Sequence, residues 1–277
     1  TAVEATFDNT LRLRAVSLSQ SDLTPGQTLS LTLYWQALVA PGADYSINLK
    51  IVDDADRVIL RQDSFPARGN YATSRWRAGE QVSDEHTLAL PLTTPAPCAC
   101  RLIVSVTRAD NEQPAAVNLP TPVAAASVLL ANLRVYPRLN EAGVPNPVAW
   151  NFDDQLELVG YDVDRRSLTP GQTLDLALFW RPLQPLRTDY LITPQLRPVS
   201  SGAATIDAQT PRAADVAPTQ IWQVGRLREA HYRFVIPTAA ALGEYDILVS
   251  ITDPGAPFQL PVNETEKAAT LGRVRLQ

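Results

Sequence analysis

Residues 23–29 read Leu-Thr-Pro-Gly-Gln-Thr-Leu, and the same seven letters return 145 positions later, at residues 168–174. The same spacing carries Trp35 to Trp180. Repeats in solenoid proteins are roughly 20–50 residues long, so a repeat of this length indicates two whole domains in tandem. The chain length of 277 residues agrees with two domains of roughly 150 residues each.

The sequence around each copy alternates between apolar and polar residues. In residues 28–37, leucines and Trp35 fall on one face and polar side chains on the other, and residues 173–182 repeat the pattern around Trp180. Alternation at period 2 is typical of half-buried antiparallel strands. About seven short strands per copy, separated by turns rich in Pro and Gly, predict an all-β fold class with two tandem immunoglobulin-like antiparallel β-sandwiches.

The predicted domain organisation follows from the repeat. The first β-sandwich repeat covers residues 1–136 and the second covers residues 151–277. Residues 137–150 form a Pro-rich linker, and its prolines predict a semi-stiff connection rather than a flexible one. Residues 108–126 are a second irregular stretch, rich in Ala and Pro, within the first repeat.

Charge and hydropathy exclude two classes of partner. The chain has 24 basic and 29 acidic residues, mixed along its length, and a net charge of −5. Nucleic-acid-binding domains carry clustered Lys and Arg, so this pattern argues against a nucleic acid partner. No stretch approaches the roughly 18 apolar residues of a membrane span, which predicts no membrane insertion within this segment. The chain begins at Thr1 and contains no Met, which indicates a processed protein or an excised fragment.

Cys98 and Cys100 are the only cysteines. On an ideal strand their side chains share one face, with Cα atoms about 6.5–7 Å apart. That separation is at the outer limit of disulfide geometry, so we favour two thiols and keep a strained redox pair as the alternative. Two thiols are too few for a zinc site, which normally takes four ligands.

The two histidines do not predict catalysis. His86 shares the parity of Leu88 and points to the core side near a strand end, whereas His231 lies on the opposite parity and is exposed. Neither is repeated in the other copy, and no serine-hydrolase, zinc-protease or phosphate-binding motif is present in the sequence. We therefore predict no catalytic residues, no cofactor and no enzyme activity.

Asp53, Asp54 and Asp56 are the best metal candidates, because clustered carboxylates are what Ca²⁺ requires. They lie between two strand-like runs, where an acidic turn is ordinary, and residues 198–202 of the second copy contain no carboxylate. We favour a solvated turn over a calcium loop and predict no metal site.

Loop aromatics are the residues most suited to binding a ligand. Trp35 and Trp180 lie on an apolar strand face and are predicted to be core, whereas Trp76 and Trp222 follow loops. Trp76, with Tyr71 and Arg75, could form a stacking platform for a sugar. Because the second copy keeps the Trp but not Tyr71, we favour a Trp that closes one end of the sandwich.

The pattern resembles the β-sandwich repeats in extracytoplasmic parts of bacterial surface proteins, notably those behind membrane glycosyltransferase-like cores. The resemblance rests on the repeated heptapeptide, on Asp44-Tyr45, on a loop that runs from Asp63 to Gly79 through Pro66, Gly69, Tyr71, Thr73, Ser74 and Trp76, and on Asp84. It implies a fold and no catalytic residues. The two copies differ at two places. Cys98 and Cys100 of the first copy correspond to Gly243 and Tyr245 of the second. The second copy also lacks the Gly-x-Tyr part of the loop and has Ala214 and Asp215 nearby instead.

The sequence thus predicts a non-enzymatic structural or protein-interaction module of a larger surface protein or assembly. Its expected location is extracytoplasmic, at the cell surface, and its expected partners are other protein domains or subunits. The alternative is a carbohydrate-binding module that uses Tyr71, Arg75 and Trp76 to bind glycans.

Overall fold

The computed structural model describes residues 1–119, 127–200, 202–209 and 218–277. Ala214, Asp215 and the end of the irregular stretch 108–126 lie outside these ranges. The chain divides into two compact units, one formed by Thr1–Thr94 with Cys98–Tyr136 and the other by Pro95–Pro97 with Pro137–Gln277. Both are built almost wholly of strands, which confirms the all-β fold class; the immunoglobulin-like assignment stays a prediction.

The first unit contains two five-stranded sheets. Its strands are β1 (Ala2–Phe7), β2 (Leu11–Leu18), β3 (Asp22–Leu23), β4 (Thr28–Ala37), β5 (Tyr45–Val52), β6 (Val58–Ser64), β7 (Gln81–Ala89), β8 (Cys98–Arg108), β9 (Val117–Asn118) and β10 (Val128–Val135). One sheet, the β4 sheet, has the order β7-β4-β2-β1-β9; the other, the β8 sheet, has the order β3-β10-β8-β5-β6. Two short 3₁₀ turns, Ala67–Gly69 and Thr73–Arg75, lie between β6 and β7.

The second unit repeats this organisation. Its strands are β11 (Trp150–Phe152), β12 (Leu156–Val163), β13 (Ser167–Leu168), β14 (Thr173–Pro182), β15 (Leu191–Pro198), β16 (Ile206–Asp207), β17 (Arg228–Val235), β18 (Gly243–Asp253), β19 (Ala256–Gln259) and β20 (Ala269–Leu276). The β14 sheet has the order β11-β12-β14-β17, and the β18 sheet has the order β13-β20-β18-β15-β16, with β19 also paired to β18. A 3₁₀ turn at Thr219–Ile221 precedes β17.

The strands that the two units share therefore have the same order, whereas β9 and β19 have no counterpart strand. Among the described residues, each unit contains one parallel pair. The two-residue strand β3 runs parallel to β10, and β13 runs parallel to β20. Each of these short strands ends at the first leucine of the repeated heptapeptide, Leu23 or Leu168. The heptapeptide thus crosses from the β8 sheet to the β4 sheet in the first unit, and correspondingly in the second.

The chemistry of the heptapeptide explains its repetition. The side-chain Oε1 atom of Gln27 accepts the backbone N–H of Thr24 at 2.9 Å, and Gln172 accepts that of Thr169 at 3.0 Å. The glycine between them has φ +89° in the first copy and +91° in the second. Only glycine adopts such a left-handed conformation at no steric cost, so both the glycine and the glutamine of the turn have a structural reason.

A tryptophan lies in the core of each unit, as predicted. Trp35 is 1% exposed with its ring 5.7 Å from that of Phe7, and Trp180 is 0% exposed with its ring 5.4 Å from that of Phe152. In both residues the indole N–H is buried without an acceptor. An unsatisfied buried donor costs about 1–3 kcal/mol. Each core therefore contains a large aromatic ring together with the same unsatisfied indole N–H.

Residues 137–150 are grouped with the second compact unit, and the linker role of this stretch stays a prediction. Val144 is 1% exposed, and its backbone N–H is bound by Asn140 Oδ1 at 2.9 Å. Pro145 contributes its carbonyl oxygen to the N–H of Tyr161. The prolines are held against a strand, which composition alone does not reveal.

Cys98 and Cys100 form a disulfide, so the prediction of two thiols is wrong. Their Cα atoms are 5.5 Å apart, well inside the range that a disulfide requires. The expectation used the rise of an ideal strand, whereas real strands shorten when they twist. The pair lies at the start of β8, opposite Val135 and Leu133 of β10.

Candidate functional site

Trp76 is buried in the first unit, and its ring has no open face. Its side chain is only 2% exposed, and its indole N–H donates to the carbonyl oxygen of Tyr71 at 3.3 Å. The corresponding Trp222 is 6% exposed. Burial of both rings agrees with the interpretation of a closing residue, and it leaves Trp76 without the flat accessible surface that sugar stacking needs.

Tyr71 and Arg75 lie near Trp76 but are placed differently. The half-buried Tyr71 ring is 6.1 Å from that of Trp76, and its hydroxyl donates to Glu80 Oε1 at 2.7 Å. This hydrogen bond raises the pKa of Tyr71, while the backbone N–H of Arg77, followed by the Tyr71 hydroxyl, lowers the pKa of Glu80. Arg75 is exposed. The three candidates are neighbours, and as a ligand set they stay a prediction.

A buried threonine fixes the same loop in both units. Thr73 is 0% exposed; its hydroxyl donates to Ala43 O at 3.1 Å and accepts the N–H of Tyr45 at 2.8 Å. In the second unit, Thr219 accepts the N–H of Tyr190 at 2.7 Å. Sequence reasoning missed this role, although the signal was present as a repeated Asp-Tyr pair followed by Thr-x-x-Trp.

Replacing either threonine by valine should show how much its hydrogen bonds contribute to the stability of its unit. Thr73→Val keeps the shape of the side chain but leaves the Tyr45 N–H and the Ala43 carbonyl without a partner. We expect a loss of about 1–3 kcal/mol in the free energy of unfolding of the first unit, and the same for Thr219→Val in the second. Urea titration followed by hydrogen exchange in each unit measures both, with the exposed Ser74→Ala as control. An unchanged midpoint for Thr73→Val would contradict the assignment.

Asp84 and His86 form a buried polar pair on the inner face of β7. Asp84 is 0% exposed and His86 6%, and His86 Nε2 is 2.7 Å from Asp84 Oδ2. The inward direction of His86 agrees with its predicted parity, and His231 is exposed as expected. In the second unit, Ala230 and Tyr232 occupy the corresponding positions. The pair is therefore specific to the first unit.

The other oxygen of Asp84 holds a strained turn. Asp84 Oδ1 accepts the backbone N–H of Ala67 at 2.8 Å. Ala67 and Arg68 have φ values of 54° and 56°, which places two successive non-glycine residues in the left-handed region. Each such residue costs about 1–2 kcal/mol, so the buried carboxyl group stabilises a conformation that the sequence alone disfavours. The strained turn carries the Arg68 side chain within 3.5 Å of Glu85.

The acidic turn Asp53–Asp56 is held by donors of the protein itself. The buried Asp53 accepts the N–H groups of Ala55 and Arg57 at 2.9 Å, and its second oxygen accepts Arg57 Nε at 2.7 Å. Asp56 pairs with Arg101. Among the described residues, no group of three or more His, Cys, Asp or Glu side chains is placed to hold a metal ion.

Comparison with known proteins gives no family. No protein-family model and no curated protein matches the chain. Among solved structures, it is similar to the sporulation control protein Spo0M from Bacillus subtilis, with a TM-score of 0.31 and 10% identity over 100% of this chain and 90% of that one. A similarity of this degree gives no information about function. Within the described ranges, no helix has the length and hydropathy to span a membrane.

Proposed function

We propose that the protein is a non-enzymatic structural or protein-interaction module, located outside the cytoplasm as part of a larger surface protein or assembly. The proposal rests on the identity of the residues that the two units share. The shared residues are the turn glutamines, the core tryptophans, the bonded threonines and the closing tryptophans. All of them support the scaffold, whereas outward-facing positions on the paired strands differ, since Ser30 and Thr87 correspond to Asp175 and Arg233.

The disulfide supports the location. Disulfides form and persist in oxidising compartments, whereas cytosolic thiols are kept reduced. Cys98 and Cys100 are bonded to each other, and no other cysteine occurs in the chain. The resemblance to extracytoplasmic β-sandwich repeats supports the same location, with other domains or subunits at the cell surface as partners.

Labelling of intact cells that produce the protein tests the proposal. Acid quenching protonates the thiols and stops exchange, free thiols are then alkylated in denaturing neutral buffer, and the tryptic peptide of Cys98 and Cys100 is analysed by mass spectrometry. We expect no alkylation unless a reductant is added first. A membrane-impermeant, amine-reactive cross-linker should reach the exposed Lys267 on intact cells and join it to another surface protein. Free thiols, or a Lys267 that reacts only after lysis, would contradict the extracytoplasmic location.

A further inference from the structure

The outer face of the β4 sheet in the first unit is lined by hydroxyl groups. We call this surface the hydroxyl face; it is formed by Ser17, Ser19, Ser30, Thr32, Ser83 and Thr87. These residues meet in register, since Thr32 lies between Ser17 and Glu85, and Ser30 lies opposite Thr87. All of these residues except Ser83 line a hollow of about 400 Å³, and Arg68 and Glu85 contribute to its wall.

A second hollow is lined by residues of β2, β4 and β7 and by Ala2 and Glu4 of β1. It has a volume of about 370 Å³ and is lined by Arg14, Tyr34 and Gln81, among others. The Tyr34 ring is 40% exposed and lies next to the hydroxyl face, with its hydroxyl 3.5 Å from Ser17 Oγ. Ser30 and Tyr34 are four residues apart on β4, a distance of about 13 Å at the rise of a strand.

The second unit has the same strands and a different surface. Asp175 and Arg233 stand where the first unit has Ser30 and Thr87, and they form an ion pair with Arg233 Nε 2.6 Å from Asp175 Oδ1. The strands β2, β4 and β7 correspond to β12, β14 and β17, and the same pair of positions therefore carries hydroxyls in one copy and ion-paired charges in the other. The two units therefore differ in the chemistry of this surface rather than in the arrangement of these strands. Such a difference is expected if only the first unit binds a ligand here.

Arg68 is fixed at the edge of the hydroxyl face by the strained turn. The buried Asp84 binds the N–H of Ala67 and thereby holds the left-handed conformation of Ala67 and Arg68. Strained non-glycine residues persist where the surrounding structure enforces them, and they cluster at ligand-binding sites. Arg68 and Glu85 remain 74% and 69% exposed, so both can reach a ligand.

The chemistry of these groups selects a ligand that is rich in hydroxyl groups and carries no net charge. Serine and threonine hydroxyls both donate and accept hydrogen bonds, the guanidinium of Arg68 only donates, and the carboxylate of Glu85 only accepts. Their charges cancel, so an ionic ligand would leave one of them opposite a like charge. A sugar ring offers donors and acceptors at its edge and C–H groups on its face, which fit the hydroxyls and the amphipathic Tyr34 ring respectively.

We propose that the hydroxyl face, with Arg68, Glu85 and Tyr34, binds a neutral glycan chain. Arg68 and Glu85 contact ring hydroxyls in the first hollow, and Tyr34 stacks on a neighbouring ring in the second. The proposal goes beyond the scaffold role and does not use the loop set of Tyr71, Arg75 and Trp76. It is tested separately from the location, because it concerns binding by the purified chain.

The experiment is binding of the purified full chain to an array of neutral and acidic polysaccharides, followed by calorimetry with the best neutral oligosaccharide. We expect Arg68→Ala and Tyr34→Ala each to weaken binding at least tenfold. The double variant S30D/T87R, which copies the ion pair of the second unit onto the face, should abolish it. Phe179→Ala, at the position that corresponds to Tyr34, and Tyr71→Ala should bind as the native chain does.

Each outcome decides for or against the proposal. Thermal melts check that each variant folds, and binding is compared only among variants that melt cooperatively. Absence of binding to every neutral glycan would overturn the proposal, as would binding to acidic polysaccharides alone. A loss with Tyr71→Ala and not with Tyr34→Ala would move the site to the loop and overturn the proposal equally.

Discussion

Trp35→Ala is expected to destabilise the first unit by about 3–5 kcal/mol, the range for truncating a large buried aromatic side chain. The Trp35 ring is almost fully buried against Phe7, so its removal leaves a cavity between the two sheets. Trp180→Ala should cost the second unit the same amount, since Trp180 has the same burial and the same kind of neighbour in Phe152.

The measurement is denaturant unfolding with hydrogen exchange read separately in β4 and β14. Trp35→Ala should lower the protection of β4 and leave that of β14 unchanged, because the two tryptophans belong to different cores. Trp35→Phe is the control and should cost less than the alanine variant, since the indole N–H that it removes has no acceptor. Equal loss of protection in both strands would contradict the assignment of separate cores.

Asp84→Ala is expected to destabilise the first unit by about 1–3 kcal/mol for each of the two hydrogen-bonding groups that it leaves without a partner. The change leaves His86 Nε2 and the N–H of Ala67 without the oxygens that now bind them. The amide of Ala67 should then exchange faster with solvent, because Asp84 Oδ1 is the acceptor that the structure describes for it.

A double-mutant cycle measures the interaction between Asp84 and His86 separately from the cost of removing each buried side chain. Asp84→Ala, His86→Ala and the double variant should give a coupling energy of about 0.5–3 kcal/mol. Asp84→Asn keeps an acceptor oxygen for Ala67 and should preserve the protection of that amide better than Asp84→Ala does. Additive effects of the two alanine substitutions would show that Asp84 and His86 do not interact.

The fold could be read from the sequence because its signals are local. A turn that needs a positive φ selects Gly26 and Gly171, and strand alternation places Trp35 and Trp180 inside. The parallel pairing of β3 with β10 could not be read, because it joins Leu23 to Val135 through only two residues per strand. The disulfide was missed because the estimate assumed an ideal strand at Cys98 and Cys100.

The site was less predictable because it depends on residues that are distant in sequence. Tyr71, Arg75 and Trp76 do lie together, but the burial of Trp76 depends on how the loop folds over the end of the sandwich. The role of Asp84 required the backbone conformation of Ala67, which no propensity predicts. Thr73 was quoted as part of a familiar pattern, and only its bonds to β5 and the preceding loop explain its presence.

The equivalent strand order of the two units creates a hazard during synthesis. Tandem domains of the same topology can exchange strands and misassemble, a characteristic failure of repeat proteins. In an exchanged sheet, with β4 beside β17, Ser30 would lie opposite Arg233, and Asp175 would lose its partner. The ion pair of Asp175 and Arg233 therefore forms only when β14 meets its own β17. An exposed ion pair contributes less than about 1 kcal/mol. The difference between the two sheet surfaces therefore favours pairing of each strand within its own unit, but it is too small to prevent exchange.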